Sequence, residues 1–165
     1  MDDITVRRAA DADIPQLDRL LFQVHRVHSD IRPDLFTAGA KKYTDDELRG
    51  IIADERRPIF VAERGGQVVG YAFCVLESYG DGSRVKMDTL YIDDLCVDED
   101  ARGTHAGTRL FGYVCDFARG KGCYNVTLNV WAVKIPSKST TPSSPSRCLR
   151  AYAALMTCLN RRRRE

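Results

Sequence analysis

The stretch from Leu90 to Tyr113, LYIDDLCVDEDARGTHAGTRLFGY, leaves this chain few options. Leu90 to Val97 is an apolar run that reads as a buried strand, with two acids, Asp93 and Asp94, set into it. Asp98 to Gly107 reads as a turn, small-residue in part. From Thr108 to Lys121 the spacing of Leu110, Phe111, Val114, Phe117 and Ala118 predicts a helix with one apolar face. A strand therefore feeds a turn that opens a helix. The first N–H groups of a helix have no partner within it, and the helix dipole is positive there, so such a turn is a ready anion site. Gly103, Ala106 and Gly107 keep side chains out of the way of an approaching anion. Arg102 adds a planar cationic fork.

The run Val97-x4-Arg102-Gly103-x-x-x-Gly107 resembles motif A of the GNAT N-acetyltransferases, whose pattern Arg/Gln-x-x-Gly-x-Gly/Ala binds the pyrophosphate of acetyl-CoA. Arg102 matches the first position and Gly107 the last; His105 stands where the family has its middle glycine. The resemblance implies that the N–H groups of Gly103, Thr104, His105, Ala106, Gly107 and Thr108 hold the pyrophosphate, provided the backbone at 105 is not forbidden to a side chain.

Length and composition agree with one domain of ordinary globular make-up. The chain has 165 residues, 44% hydrophobic and 29% charged, enough to bury a core. No apolar run reaches the length of a membrane span, and MDDITVRRAA lacks the apolar region of a signal peptide. The six cysteines, at 74, 96, 115, 123, 148 and 158, include no Cys-x-x-Cys pair. They read as buried thiols in a reducing cytoplasm, and no metal site is expected.

Along the chain, Ile4 to Arg8 alternates as a first strand. A helix is expected from Asp13, with Pro15 in its first turn, Gln16 at the capping-box position, and an apolar stripe of Ile14, Leu17, Leu20, Leu21 and Val24. It carries His25 and His28, read as exposed histidines at a helix end rather than ligands. The long irregular loop SDIRPDLFTAGAKKYT follows, and loops of this length are often functional. Thr44 and Glu47 form a capping box for a short second helix. Ile59 to Arg64, a Gly65-Gly66 turn and Gln67 to Glu77 read as a hairpin; Gly122 ends the later helix, and Cys123 to Trp131 is a further strand. The order β-α-α-β-β-β-α-β is similar to the N-terminal and central parts of the GNAT fold. The fold class is therefore α/β (α+β), a mixed central sheet flanked by helices.

Residues 1–131 form this domain, and 132–165 read as a divergent tail. The tail has eight Lys or Arg and one acid, whereas residues 1–131 have 17 basic and 22 acidic residues. Ten of the twelve residues from Pro136 to Arg147 are Ser, Thr or Pro, the composition of an extended linker. Leu149, Tyr152, Ala153, Met156 and Leu159 have the spacing of a terminal helix, capped by Ser144 or Ser146. The family's usual Asn-Pro and Phe-Tyr signatures are missing here, so a shifted reading frame or a natural divergent ending is expected. Without final strands an apolar sheet edge would be bare, which invites a homodimer. Four arginines, 161 to 164, without interleaved aromatics read as a solvated end rather than a nucleic-acid site.

The resemblance implies transfer of acetyl from acetyl-CoA to a small-molecule or peptide amine by direct attack. The strands ending at Val97 and Trp131 then splay, and the pantetheine arm pairs with the main chain of Leu95, Cys96 and Val97. The same segment supplies an N–H to polarise the thioester. Asp93 or Asp94 takes the amine's proton; by alternation the two face opposite sides, and Asp94 is preferred. Tyr152, the sole tail tyrosine, is the candidate acid for the leaving thiolate. Cys96 as a nucleophile is disfavoured. The alternative is a CoA-binding chain impaired by loss of the usual tyrosine motif.

Overall fold

The computed structural model describes residues 3–132 and 149–155. In chain order it has β1 (Thr5–Arg8), α1 (Ile14–Ile31), α2 (Asp45–Ala53), β2 (Ile59–Arg64), β3 (Gln67–Tyr79), β4 (Met87–Val97), α3 (Ala106–Gly120), β5 (Asn125–Ala132) and β6 (Leu149–Leu155), with single turns of 3-10 helix at Asp11–Asp13 and Glu99–Ala101. The strands form one mixed sheet in sequence order. β4 and β5 run parallel, and every other neighbouring pair is antiparallel.

Alternation along the strands builds a core on each face of the sheet. Phe60, Ala62, Ala72, Leu90 and Ile92 pack under Leu110, Val114 and Ala118 of α3. Ile59, Val61, Tyr71 and Phe73 pack under Leu17 and Leu20 of α1 and Leu48 of α2. The helix stripes read from the sequence are thus the buried faces. α2 starts at the Thr44–Glu47 capping box, with Thr44 Oγ1 accepting from the Glu47 N–H at 3.2 Å and Glu47 accepting from the Thr44 N–H at 2.7 Å.

Three expectations change. The box expected at α1 does not form. Arg7 claims the Asp13 carboxylate through two bonds of 2.7 and 2.8 Å, and the Ala10 N–H donates to it at 2.8 Å. Gln16 instead accepts from the Val68 N–H at 2.7 Å. Second, Leu149–Leu155 is a strand, not part of a terminal helix. It pairs with β5 from Val126↔Leu155 to Ala132↔Leu149, because the edge of β5 offers a full row of main-chain partners that outweighs a helical apolar spacing. Third, β6 covers β5 and is the last described strand of the sheet, so the edge on which the homodimer expectation rested is paired. The Ser/Thr/Pro stretch and the arginine run lie outside the described residues.

One irregularity positions everything that follows. The register of β3 against β4 slips between Phe73↔Asp94 and Cys74↔Ile92, leaving Asp93 as an extra residue. A bulge of this kind reverses the alternation. Leu90 and Ile92 belong to the α3 face, whereas Cys96 belongs to the α1 face. Parallel pairing of β4 with β5 runs from Thr89↔Asn125 to Ile92↔Leu128 and stops at the bulge.

Candidate active site

Beyond Ile92, β4 is bonded to β3 along one edge, and no described strand pairs its other edge. Leu95, Cys96 and Val97 thus present main chain into an opening between β4 and β5. The chain then turns into α3. Asp98 shapes the turn: its carboxylate caps the Glu99–Ala101 segment, accepting from the Asp100 N–H at 3.2 Å, and takes a 2.6 Å bond from Arg19 of α1. Arg19 also donates to the Val68 carbonyl at 3.2 Å, so α1 and the β2–β3 hairpin fix where the turn begins.

A hollow of about 310 Å³ lies over this turn, lined by Val97 and by Ala101 to Thr108 with the exception of Thr104. α3 begins at Ala106, two residues earlier than its periodicity indicates, and its first internal bond is Arg109 N–H to the His105 carbonyl at 3.0 Å. The N–H groups of Ala106, Gly107 and Thr108 accordingly have no helical partner. Gly103 has φ +82° with open space where a Cβ would stand, and a Cβ on Gly107 would sit 3.3 Å from Val97 Cγ2. A side chain at 107 would therefore press on the wall of this cradle at Val97. Thr104 differs from its neighbours: its hydroxyl and N–H both turn back to the Ala101 carbonyl, at 2.6 and 3.4 Å.

His105 adopts φ 64°, ψ 13°, the left-handed region in which glycine is at ease and which histidine enters more readily than most residues. This explains why a glycine suits the position. It also answers the condition raised by the sequence, because the backbone is strained there but not forbidden. The residue is exposed.

At the bulge lies a second, larger cleft of about 650 Å³, lined by α1 (Leu21, Val24, His25, His28), the following loop (Phe36, Lys42), β4 (Tyr91 to Leu95) and β5 (Leu128, Asn129). Alternation predicts that Asp93 and Asp94 face opposite sides. The bulge brings both into this cleft, and Lys42 Nζ lies 3.1 Å from Asp94 Oδ2 and 3.6 Å from Asp93 Oδ2. The Tyr71 hydroxyl donates to Asp94 Oδ2 at 3.3 Å. Burial, reinforced by Asp94, pushes that phenol far above its ordinary range, so Tyr71 remains a neutral donor that orients the carboxylate. Burial lowers the Lys42 pKa, but Asp94, then Tyr43 and Asp93, outweigh it and the net shift is upward.

Cys96 is buried, and burial with the nearby Asp94 and Asp98 pushes its thiol up to about 12. It is protonated at neutral pH and so a poor nucleophile. His25 donates to the Thr37 carbonyl at 2.7 Å, and both histidines pack on Phe36. They hold the loop over the cleft. Within that loop, Phe36 lines the cleft, Arg32 and Asp34 pair with each other, and Tyr43 stacks on Phe73. Tyr152 is opposite Asn129 in the β5–β6 register, which places its backbone beside a residue that lines the cleft. Sequence reasoning passed over Lys42, Tyr71, Arg19 and Asp98. The sole signal for Lys42 was its place in the long loop.

A model of the acetyltransferase (GNAT) family matches residues 24–137, well over half of the chain. The chain belongs to this family. Among curated proteins, glucosamine 6-phosphate N-acetyltransferase of Trypanosoma brucei brucei is 32% identical over 92 residues, 52% of this chain and 60% of the relative. The chain thus spans about three fifths of that protein's length. The crystal structure of a tetramutant of BH1408 from Bacillus halodurans superposes with a TM-score of 0.73 at 21% identity, covering 86% of this chain and 99% of that one. The aminoglycoside N-acetyltransferase AAC(6')-Iy, solved in complex with CoA, gives 0.57 at 13% identity, with 79% and 78% covered. These two likenesses concern the GNAT fold. No helix among the described residues is long and apolar enough to cross a membrane.

Proposed function

We propose that this chain transfers acetyl from acetyl-CoA to a small-molecule or peptide amine by direct attack. The observation that carries the reading is the bulge at Asp93. It ends the β4–β5 pairing, frees a strand edge that leads to the anion-binding turn, and gathers two carboxylates at the head of the opening. Bound acetyl-CoA supplies an activated acetyl group. The chain's own residues do the rest. The N–H groups of Gly103 and of His105 to Thr108, with Arg102, hold the pyrophosphate, whereas Thr104, turned back to Ala101, does not take part. The Leu95–Val97 edge pairs with the pantetheine arm. A main-chain N–H at Cys96 or Val97 donates to the carbonyl that develops charge. Asp94, oriented by Tyr71, takes the amine's proton, with Asp93 beside it. Tyr152 is the proton donor to the departing thiolate; its register opposite Asn129 supports this role. The four described cysteines are buried, which fits a reducing cytoplasm.

The test is release of CoA from acetyl-CoA across a panel of amines that includes glucosamine 6-phosphate, an aminoglycoside, a polyamine and a peptide N-terminus. The reading expects saturable turnover with at least one. Tight acetyl-CoA binding with no turnover on any amine would leave a CoA-binding chain without transferase activity and overturn it.

A further inference from the structure

The amine nearest the acid pair is the protein's own. Among the described residues, Lys42 is the one lysine that lines the cleft. Its Nζ sits 3.1 Å from Asp94 Oδ2 and 5.2 Å from the Tyr43 ring centroid. An acceptor nitrogen has to stand within hydrogen-bond reach of the group that takes its proton, and Lys42 Nζ already occupies that place at the β4 bulge. Its neighbour in sequence does not. Lys41 turns away to Asp18 at 2.6 Å and Asp45 at 2.7 Å.

We propose that Lys42 is an acetylation site modified by the chain itself. This rests on the transferase reading above. In the step, the Lys42 ammonium loses one proton to Asp94, and the neutral nitrogen then attacks the thioester carbonyl. The new N–C bond forms as the C–S bond breaks. The nitrogen gives up a second proton, the thiolate takes one, and the products are an acetamide on Lys42, free CoA and one proton released to solvent. The groups that face this nitrogen are Asp93 and Asp94 of β4, Tyr71 of β3 through Asp94, Tyr43 of the same loop, and, across the cleft, His25 and His28 of α1 with Tyr91 of β4. The carboxylates hold Lys42 charged, so the modification is slow near neutrality and accelerates as pH rises.

The modification has a consequence for external amines. Acetyl-lysine carries no charge, so the two carboxylates lose their internal cation and are free for a cationic acceptor. Lys42 in the unmodified chain competes for the place that an acceptor must take.

The full chain is incubated with acetyl-CoA at several protein concentrations and digested, and each lysine peptide is quantified by mass spectrometry. The expected result is one acetyl group on Lys42, at a fractional rate independent of protein concentration. Lys41 stays unmodified, and Lys42→Arg and Asp94→Asn each abolish the label. Calorimetric titration with acetyl-CoA runs in parallel. If the donor binds and Lys42 stays unmodified, or if Lys41 and Lys42 label alike and the label survives in Asp94→Asn, self-acetylation is wrong while the transferase reading stands. If the donor does not bind, both fall. A second readout needs no donor: Lys42→Gln, which imitates the acetylated side chain, is titrated with benzylamine. Several-fold tighter binding than by the unsubstituted chain is expected. Unchanged affinity would show that Lys42 does not hold the amine's place and would overturn the proposal.

Discussion

The two halves of the proposed site, one for the donor and one for the acceptor, are built by different means. The donor half is main chain and contiguous: the Leu95–Val97 edge, the turn, and the first turn of α3 lie within some fourteen residues, 95–108. The acceptor half is side chains from four separate segments, α1, the loop before α2, β4 and β5. Main-chain donors tolerate substitution so long as the backbone path is kept, which is how His105 stands in for a glycine. Side-chain acceptors depend on each atom. The donor half should therefore break when the path is distorted, and the acceptor half when a single functional group is changed.

The sharpest separation is Asp94→Asn. Loss of the proposed proton acceptor is expected to lower kcat by about 10²–10⁴, with acetyl-CoA affinity unchanged by calorimetry. Asp93→Asn should fall well short of that, since Tyr71 and the closer Lys42 contact both serve Asp94. A parallel loss of donor affinity in Asp94→Asn would erase the distinction between the halves. Gly103→Val does the converse. A β-branched residue at φ +82° costs about 1–2 kcal/mol of backbone strain and blocks the cradle, so donor affinity should fall at least tenfold in a chain that remains folded by circular dichroism.

Asp13→Asn addresses the frame beneath both halves. Its two bonds from Arg7 are charge-assisted, and their loss is expected to cost about 2 kcal/mol in denaturant unfolding. Arg7 holds the Asp13 carboxyl below its ordinary value through those bonds. The folded value is the lower one, so this stability is complete above the ordinary carboxylate value and is lost as pH falls from there through the lowered folded value. The variant should therefore lose most near neutrality and least in acid; a pH-independent difference would contradict the assignment.

His105→Gly is the smallest effect. Relief of left-handed strain is worth about 1–2 kcal/mol, offset by about 0.5–1 kcal/mol of added backbone entropy in the unfolded chain. A net gain of about 0.5 kcal/mol is expected, with donor binding retained. Loss of donor binding would mean that the imidazole, not the path, is what the turn supplies.

The same contrast explains what could be read from the sequence. The elements of the proposed donor half were legible because their signals are local. Glycine placement, an apolar strand and a helix stripe are short-range signals, and they placed residues 95–108 and all the elements through β5. The acceptor half was not. Nothing in the run Tyr91 to Val97 announces an extra residue at Asp93; the slip arises from how β3 and β4 settle against one another, and it turned two opposed acids into a pair. Lys42 reaches them across 51 positions of sequence from Asp93, a separation that no periodicity encodes. The Leu149–Leu155 strand failed for a related reason: helical spacing within it is local, whereas the β5 edge that recruits it is distant in sequence.

The most direct measurement is an acetyl-CoA titration by calorimetry on this chain and on Arg102→Glu, which reverses the charge at the mouth of the turn and leaves the backbone path intact. The account predicts saturable binding with one donor per chain, weakened at least tenfold in the variant. A folded chain that does not bind acetyl-CoA, or a variant that binds as well as the original, would contradict it.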